Sequence, residues 1–197
     1  MSGRSLFLLI LLLAGCRGEQ VDEAPSDSGA SDVASDAGDC AAIPGNLIQN
    51  PSFELTNSAG LLTGWLNDPI DSIVQRTGNA AHCLHWAEVK YPAAVSGKVY
   101  FGQEITLDTP VTKGQKVLAT AWVRSVDGEL GAIIAVGITG TDSIIKEYTL
   151  PADGSWKLLA IEWVVSTETN KLYVDIGSPV EKPRTLGLDQ VSLVLQP

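Results

Sequence analysis

Between Gly114 and Asp127 the chain alternates without a break. Across Lys116 to Val126, the residues Val117, Ala119, Ala121 and Val123 fall on one side, and Leu118, Thr120, Trp122 and Arg124 on the other. A period of two belongs to a β-strand, and Lys113-Gly114 and Asp127-Gly128 bound it as turns. The first set is small and wholly apolar. A sheet with such a face needs a second layer to cover it, so this stretch alone restricts the chain to layered β architectures.

Later segments repeat the division. Over Lys157 to Val165, Leu159, Ile161, Trp163 and Val165 make an apolar face while Glu162 points away; over Lys171 to Gly177, Leu172, Val174 and Ile176 turn inward while Tyr173 and Asp175 turn outward. Ala132 to Ile138 is apolar on both faces, as expected of a central strand. Short β-rich runs separated by Gly, Pro, Asn and Asp recur along the chain, and none holds a helical apolar period for three turns. The pattern predicts an all-β, two-sheet antiparallel β-sandwich over residues 41–197.

The first forty residues lie outside that pattern. Arg4 precedes an unbroken apolar run from Leu6 to Leu13, and Leu13-Ala14-Gly15-Cys16 closes it. The run is too short to span a bilayer as a helix and reads as an export signal over residues 1–16. The four closing residues resemble the lipobox of bacterial lipoproteins. That resemblance implies that Cys16 is acylated, becomes the new N-terminus and tethers an exported protein to the cell envelope, the outer membrane where the host has one. Residues 17–40 follow as an acidic linker. Glu19, Asp22, Glu23, Asp27, Asp32, Asp36 and Asp39 stand against Arg17 alone, with no aromatic residue. Such a segment cannot bury a core and extends by self-repulsion.

Two short stretches at the ends of the β-rich part carry a second resemblance. Asn46 to Leu55, NLIQNPSFEL, reads as a short strand that bends at Asn50-Pro51, and Leu186 to Leu195, LGLDQVSLVL, reads as a closing strand. With KGQKVLATAWVRS and GSWKLL between them, they resemble carbohydrate-binding modules of families 4, 9 and 22, which share a galactose-binding-like jelly roll. The resemblance implies that the first and last strands pair. It also implies that Glu54 and Asp189 converge on a structural calcium ion, with Asp189-Gln190 standing where the family often has two aspartates.

The chemistry on offer suits binding better than catalysis. The only histidines, His82 and His85, would fall on opposite faces of a strand, which is poor geometry for zinc. No nucleophile elbow, phosphate loop or dinucleotide fingerprint is present, so the chain reads as a non-enzyme. A net charge of −10 gives no footprint for nucleic acid. Apart from Cys16, the cysteines are an even pair, Cys40 and Cys83, which an exported protein would bridge. Sugar rings stack their C–H faces on aromatic side chains. Trp122, Arg124, Tyr173 and Asp175 share the non-core parity of their strands and are the expected glycan-binding face, with Tyr91 and Tyr100 bordering it. The expected partner is a polysaccharide or cell-surface glycan; the rival is a structural or protein-binding lipoprotein that keeps the jelly roll without a sugar site.

Overall fold

Nine strands run through the described residues, which in this computed structural model are 42–65, 72–92, 99–129, 131–179 and 183–197. In chain order they are β1 (Ser72–Thr77), β2 (His85–Tyr91), β3 (Val99–Val111), β4 (Lys116–Ser125), β5 (Gly131–Ile138), β6 (Asp142–Thr149), β7 (Lys157–Val164), β8 (Thr169–Ser178) and β9 (Arg184–Gln196). They form two sheets, β1-β2-β9-β4-β7 and β3-β8-β5-β6, with every pairing antiparallel. The chain is thus an all-β, two-sheet sandwich. Only β1-β2 and β5-β6 are hairpins within one sheet; every other connection changes sheets, as a jelly roll requires. Cys16 and Cys40 lie outside the described residues.

Parity does what the sequence demands of it. Val117, Ala119, Ala121 and Val123 of β4 are wholly buried in one core with the other sheet's Leu172, Val174 and Ile176. Leu159, Ile161 and Trp163 of β7 complete that layer. Ala132 to Ile138 does sit in an interior strand, β5, flanked by β8 and β6.

The two ends of the domain meet, although less regularly than expected. Asn46 and Leu47 touch β9 through one bridge, Asn46 to Val194, and Leu47 N donates to Leu193 O at 2.9 Å. Beyond that contact the stretch is a turn and not a strand. Asn50 fixes the turn by accepting from Leu55 N at 2.9 Å and donating to Leu55 O at 2.7 Å. Phe53, with a positive φ of 58°, drops fully into the core against Trp65 (centroids 4.8 Å apart), which stacks in turn on Phe101 (4.9 Å). The buried Gln103 clamps this segment to β3. It accepts from Gln49 N at 2.8 Å and donates to Gln49 O and Gly64 O at 3.1 and 2.9 Å.

A β-bulge in the middle of β9 decides where the acidic residue of that strand goes. Thr120 faces Ser192 while Trp122 faces Asp189, so Gln190 and Val191 together oppose Ala121, and Gln190 takes a positive φ of 40°. A bulge inserts one residue and re-aims its neighbours. Leu186, Leu188, Val191 and Leu193 all reach the core, and Asp189 is turned to the outer side of the five-stranded sheet.

Candidate functional site

The four residues expected to line one glycan-binding face are split between two. Trp122 and Arg124 lie on the outer side of the five-stranded sheet; Tyr173 and Asp175 lie on the outer side of the four-stranded sheet, with the core between them. Parity separates core from solvent but does not say which of two solvent faces a residue meets. Each residue's parity is as predicted, and the single face is not.

The outer face around Trp122 and Arg124 is largely closed. The Arg124 guanidinium lies 4.0 Å from the centroid of the Trp86 ring and 4.8 Å from that of Trp156, and the two indoles meet edge to face at 5.8 Å. Both indoles hold the turn before β2, Trp86 Nε1 donating to Gly78 O and Trp156 Nε1 to Asn79 O, each at 2.9 Å. Gly187 leaves the room this stack needs, since a Cβ there would come within 2.8 Å of Arg124 Cγ. Burial lowers the Arg124 pKa, opposed by the charge of Glu88, and its Nε is buried with no hydrogen-bond partner. Arg124 is therefore engaged in packing and offers little to a ligand. Trp122, beside exposed Leu158, is half-buried.

The opposite face is built differently. Three cross-strand rows run over β3, β8, β5 and β6: Tyr100–Gly177–Ile133–Glu147, Gly102–Asp175–Ala135–Ile145 and Glu104–Tyr173–Gly137–Ser143. Glycine or alanine alternates with aromatic and acidic side chains, and Gly102, Ile133, Ala135, Gly137 and Gly177 are themselves buried between them. Gly102 is required. A Cβ there would lie 1.9 Å from Asp175 Oδ1 and 2.3 Å from Val174 O. Glu104, Thr139, Gly140, Tyr173 and Asp175 line a pocket of about 310 Å³ on this face. Glu104 is held by Thr139 Oγ1 at 2.6 Å and Lys171 Nζ at 3.1 Å, which lower its pKa. No donor among the described residues reaches the Asp175 carboxylate, and desolvation raises its pKa to about 6. Tyr100 belongs to this face. Tyr91 does not: it is fully buried, with its hydroxyl donating to Ile176 O at 3.0 Å.

Glu54 and Asp189 are brought to one loop, residues 81–85. Glu54 Oε1 accepts from Leu84 N and His85 N at 3.1 and 2.9 Å, and Glu54 Oε2 meets His85 Nδ1. Asp189 accepts from His82 N at 2.6 Å and from its neighbour Gln190 N at 2.7 Å. Its side chain is fully buried, and desolvation raises its pKa to about 7, with the Glu54 charge adding to the rise. A buried carboxylate with a second acid beside it fits a cation that would neutralise both. The N–H groups now held by their oxygens would have to yield. Among the described residues no three His, Cys, Asp or Glu side chains converge on one point, so the remaining oxygens of a calcium shell would come from backbone or water. Cys83 and His82 lie in a turn rather than the expected strand, Cys83 with a φ of 61°, so strand parity does not govern the two histidines. Both end beside this acidic pair.

No protein-family model matches the chain, and no curated protein matches it in sequence. Solved structures do match. TmCBM61, crystallised with β-1,4-galactotriose, is 18% identical with a TM-score of 0.53, covering 77% of this chain and 99% of that one. The CBM22-1 xylan-binding domain of Paenibacillus barcinonensis Xyn10C is also 18% identical, with a TM-score of 0.50 and coverages of 73% and 90%. The enzymatically active domain of bacteriophage CBA120 tailspike protein 4 is 13% identical with a TM-score of 0.56; the match covers 77% of this chain but only 22% of that one. At these identities the likeness is one of fold: the two-sheet jelly roll is shared with these structures.

Proposed function

We propose that this protein binds a poly- or oligosaccharide, without chemistry, on the outer face of its four-stranded sheet. The observation that carries the reading is the row pattern there. Tyr173 and Tyr100 stand over a floor of Gly102, Ala135, Gly137 and Gly177, beside the Asp175 and Glu104 carboxylates. A pyranose offers an apolar C–H face and a rim of hydroxyls. The tyrosines suit the first and the carboxylates the second. The carbohydrate-binding neighbours add support through the fold alone. Affinity electrophoresis of the protein against a polysaccharide panel tests it: retardation by a glycan, lost in Tyr173→Ala, is expected, and free migration in every gel would overturn it.

The rest of the reading is architectural. Lipid on Cys16 and the acidic linker of residues 17–40 would present the domain at the envelope surface; Cys16→Ser should then lose labelled palmitate, and an equally labelled mutant would refute the anchor. A Cys40–Cys83 bridge and a calcium ion on Glu54 and Asp189 would each tie the start of the domain to later chain. Thiol alkylation should label neither cysteine before reduction. The rival reading, a protein-binding lipoprotein, is favoured by one observation: Leu158 on the edge strand β7 is 46% exposed directly beside Trp122. It gains if no glycan binds.

A further inference from the structure

The glycan reading leaves open which glycans the pocket accepts, and Asp175 bears on that. It is the one acid of the pocket without a partner. Glu104 beside it is occupied by Thr139 and Lys171, whereas Asp175 accepts nothing among the described residues. Its position is also enforced. The carboxylate lies over the β3 backbone at Gly102, the space a Cβ would need, so the chain gives up a side chain on β3 to seat a carboxylate on β8. A desolvated carboxylate with no donors is unfavourable by itself, and the hydrogen bonds it would accept are of the stronger, charge-assisted kind.

We propose that Asp175 selects the ligand: as a carboxylate it accepts hydrogens from adjacent hydroxyls of a neutral sugar, and it turns away glycans that carry uronate groups. The inference rests on the glycan reading and narrows its ligand class. The described groups nearest Asp175 are tyrosines and acids. Tyr100 and Glu104 face it from β3, Tyr173 from its own strand and Glu147 from β6, while Tyr91 of β2 and Arg184 of β9 lie on the core side. Arg184 points elsewhere, its Nη1 donating to Gly131 O at 2.6 Å, its Nη2 to Glu129 O at 2.7 Å and its Nε lying 3.7 Å from Asp127 Oδ2. No cation of the described pocket is left to receive a uronate, since Lys171 is held by Glu104. Two carboxylates brought together repel. A sugar hydroxyl pair, by contrast, supplies the donors the site lacks.

The test is isothermal titration of the protein with neutral galacto-, xylo-, cello- and mannohexaose and with the acidic hexagalacturonate. At least one neutral hexasaccharide should bind, and hexagalacturonate should bind at least tenfold more weakly. For the neutral ligand, affinity should rise roughly severalfold to tenfold between about pH 5 and pH 8, as the carboxylate ionises. Asp175→Asn, and Asp175→Ser as a second variant, should weaken binding about tenfold and flatten that pH dependence while leaving melting unchanged or raised. Neutral binding that Tyr173→Ala weakens but Asp175→Asn does not, or equal binding of hexagalacturonate, would overturn the inference and leave the glycan reading standing. If no hexasaccharide binds, both fall.

Discussion

The two outer faces of this sandwich have the same origin and opposite fates. Both are the non-core parity of strands whose other parity is small and apolar. On the five-stranded side, Trp86, Arg124 and Trp156 close over the sheet and fasten the turn at Gly78 and Asn79. On the four-stranded side, glycine and alanine alternate with tyrosine and acid, and the face stays open at its Glu104–Tyr173 row. Arg124, expected in the sequence to face a ligand, went into structure with Trp86 and Trp156. The quieter residues made the pocket. Aromatic content alone is thus a poor guide to a ligand surface; what lies between the aromatic residues matters as much.

The sharpest way to break this contrast is to empty the closed face. Trp86→Ala should destabilise the domain by about 3–5 kcal/mol, the usual cost of deleting a large buried aromatic side chain, and urea denaturation reads it. Glycan affinity of the folded variant should not change. A small loss of stability would mean that the stack is decoration, and the two faces would then be alike.

Next in size is the junction at Glu54 and Asp189, which belongs to neither face. If calcium sits there, it stabilises by RT ln(1 + [L]/Kd), about 2.7 kcal/mol at a hundredfold excess over Kd. Chelator should lower the melting temperature, and Asp189→Ala should erase the response. A melting curve indifferent to chelator removes the ion.

A smaller effect distinguishes the carboxylates by pH. Asp175 and Asp189 have folded pKa values raised to about 6 and about 7. A raised acid binds its proton more tightly in the folded state, so its stabilisation is full below the unfolded value and lost as pH rises through the folded one. The chelated protein should therefore become less stable from about pH 4 to pH 7, against the usual acid-denaturation trend. Asp175→Asn should remove the part of that loss centred near pH 6. Thermal melts across the range check this, and a slope of opposite sign would contradict the burial of both groups.

Much of the fold was legible because alternation records burial directly. Val117 to Val123 and Leu172 to Ile176 could be assigned to a core from their spacing alone. The sheet to which each strand belongs was not legible, because sheet membership depends on pairing between distant segments, and Trp122 and Tyr173 were consequently joined across a core. The bulge in β9 did leave a trace: apolar residues at Leu186, Leu188, Val191 and Leu193 skip a beat at Asp189-Gln190. Read as a bulge, that skip would have turned Asp189 to the outer side. Gly102 left none, since a single glycine in a strand has several causes, and its need appears only once Asp175 is seen opposite. His82 and Cys83 were assigned to a strand because the turn before β2 carries few of the usual turn residues.

The account's central claim is that ligand binds the open face and not the closed one. Titration of a retarded glycan into Tyr173→Ala and Trp122→Ala tests it in one comparison. Tyr173→Ala should weaken binding by about 1–3 kcal/mol, as a hot-spot contact does, with its melting temperature nearly unchanged, while Trp122→Ala should bind as the native protein does. Loss of binding in Trp122→Ala with full affinity retained by Tyr173→Ala would place the site on the five-stranded sheet and contradict the account.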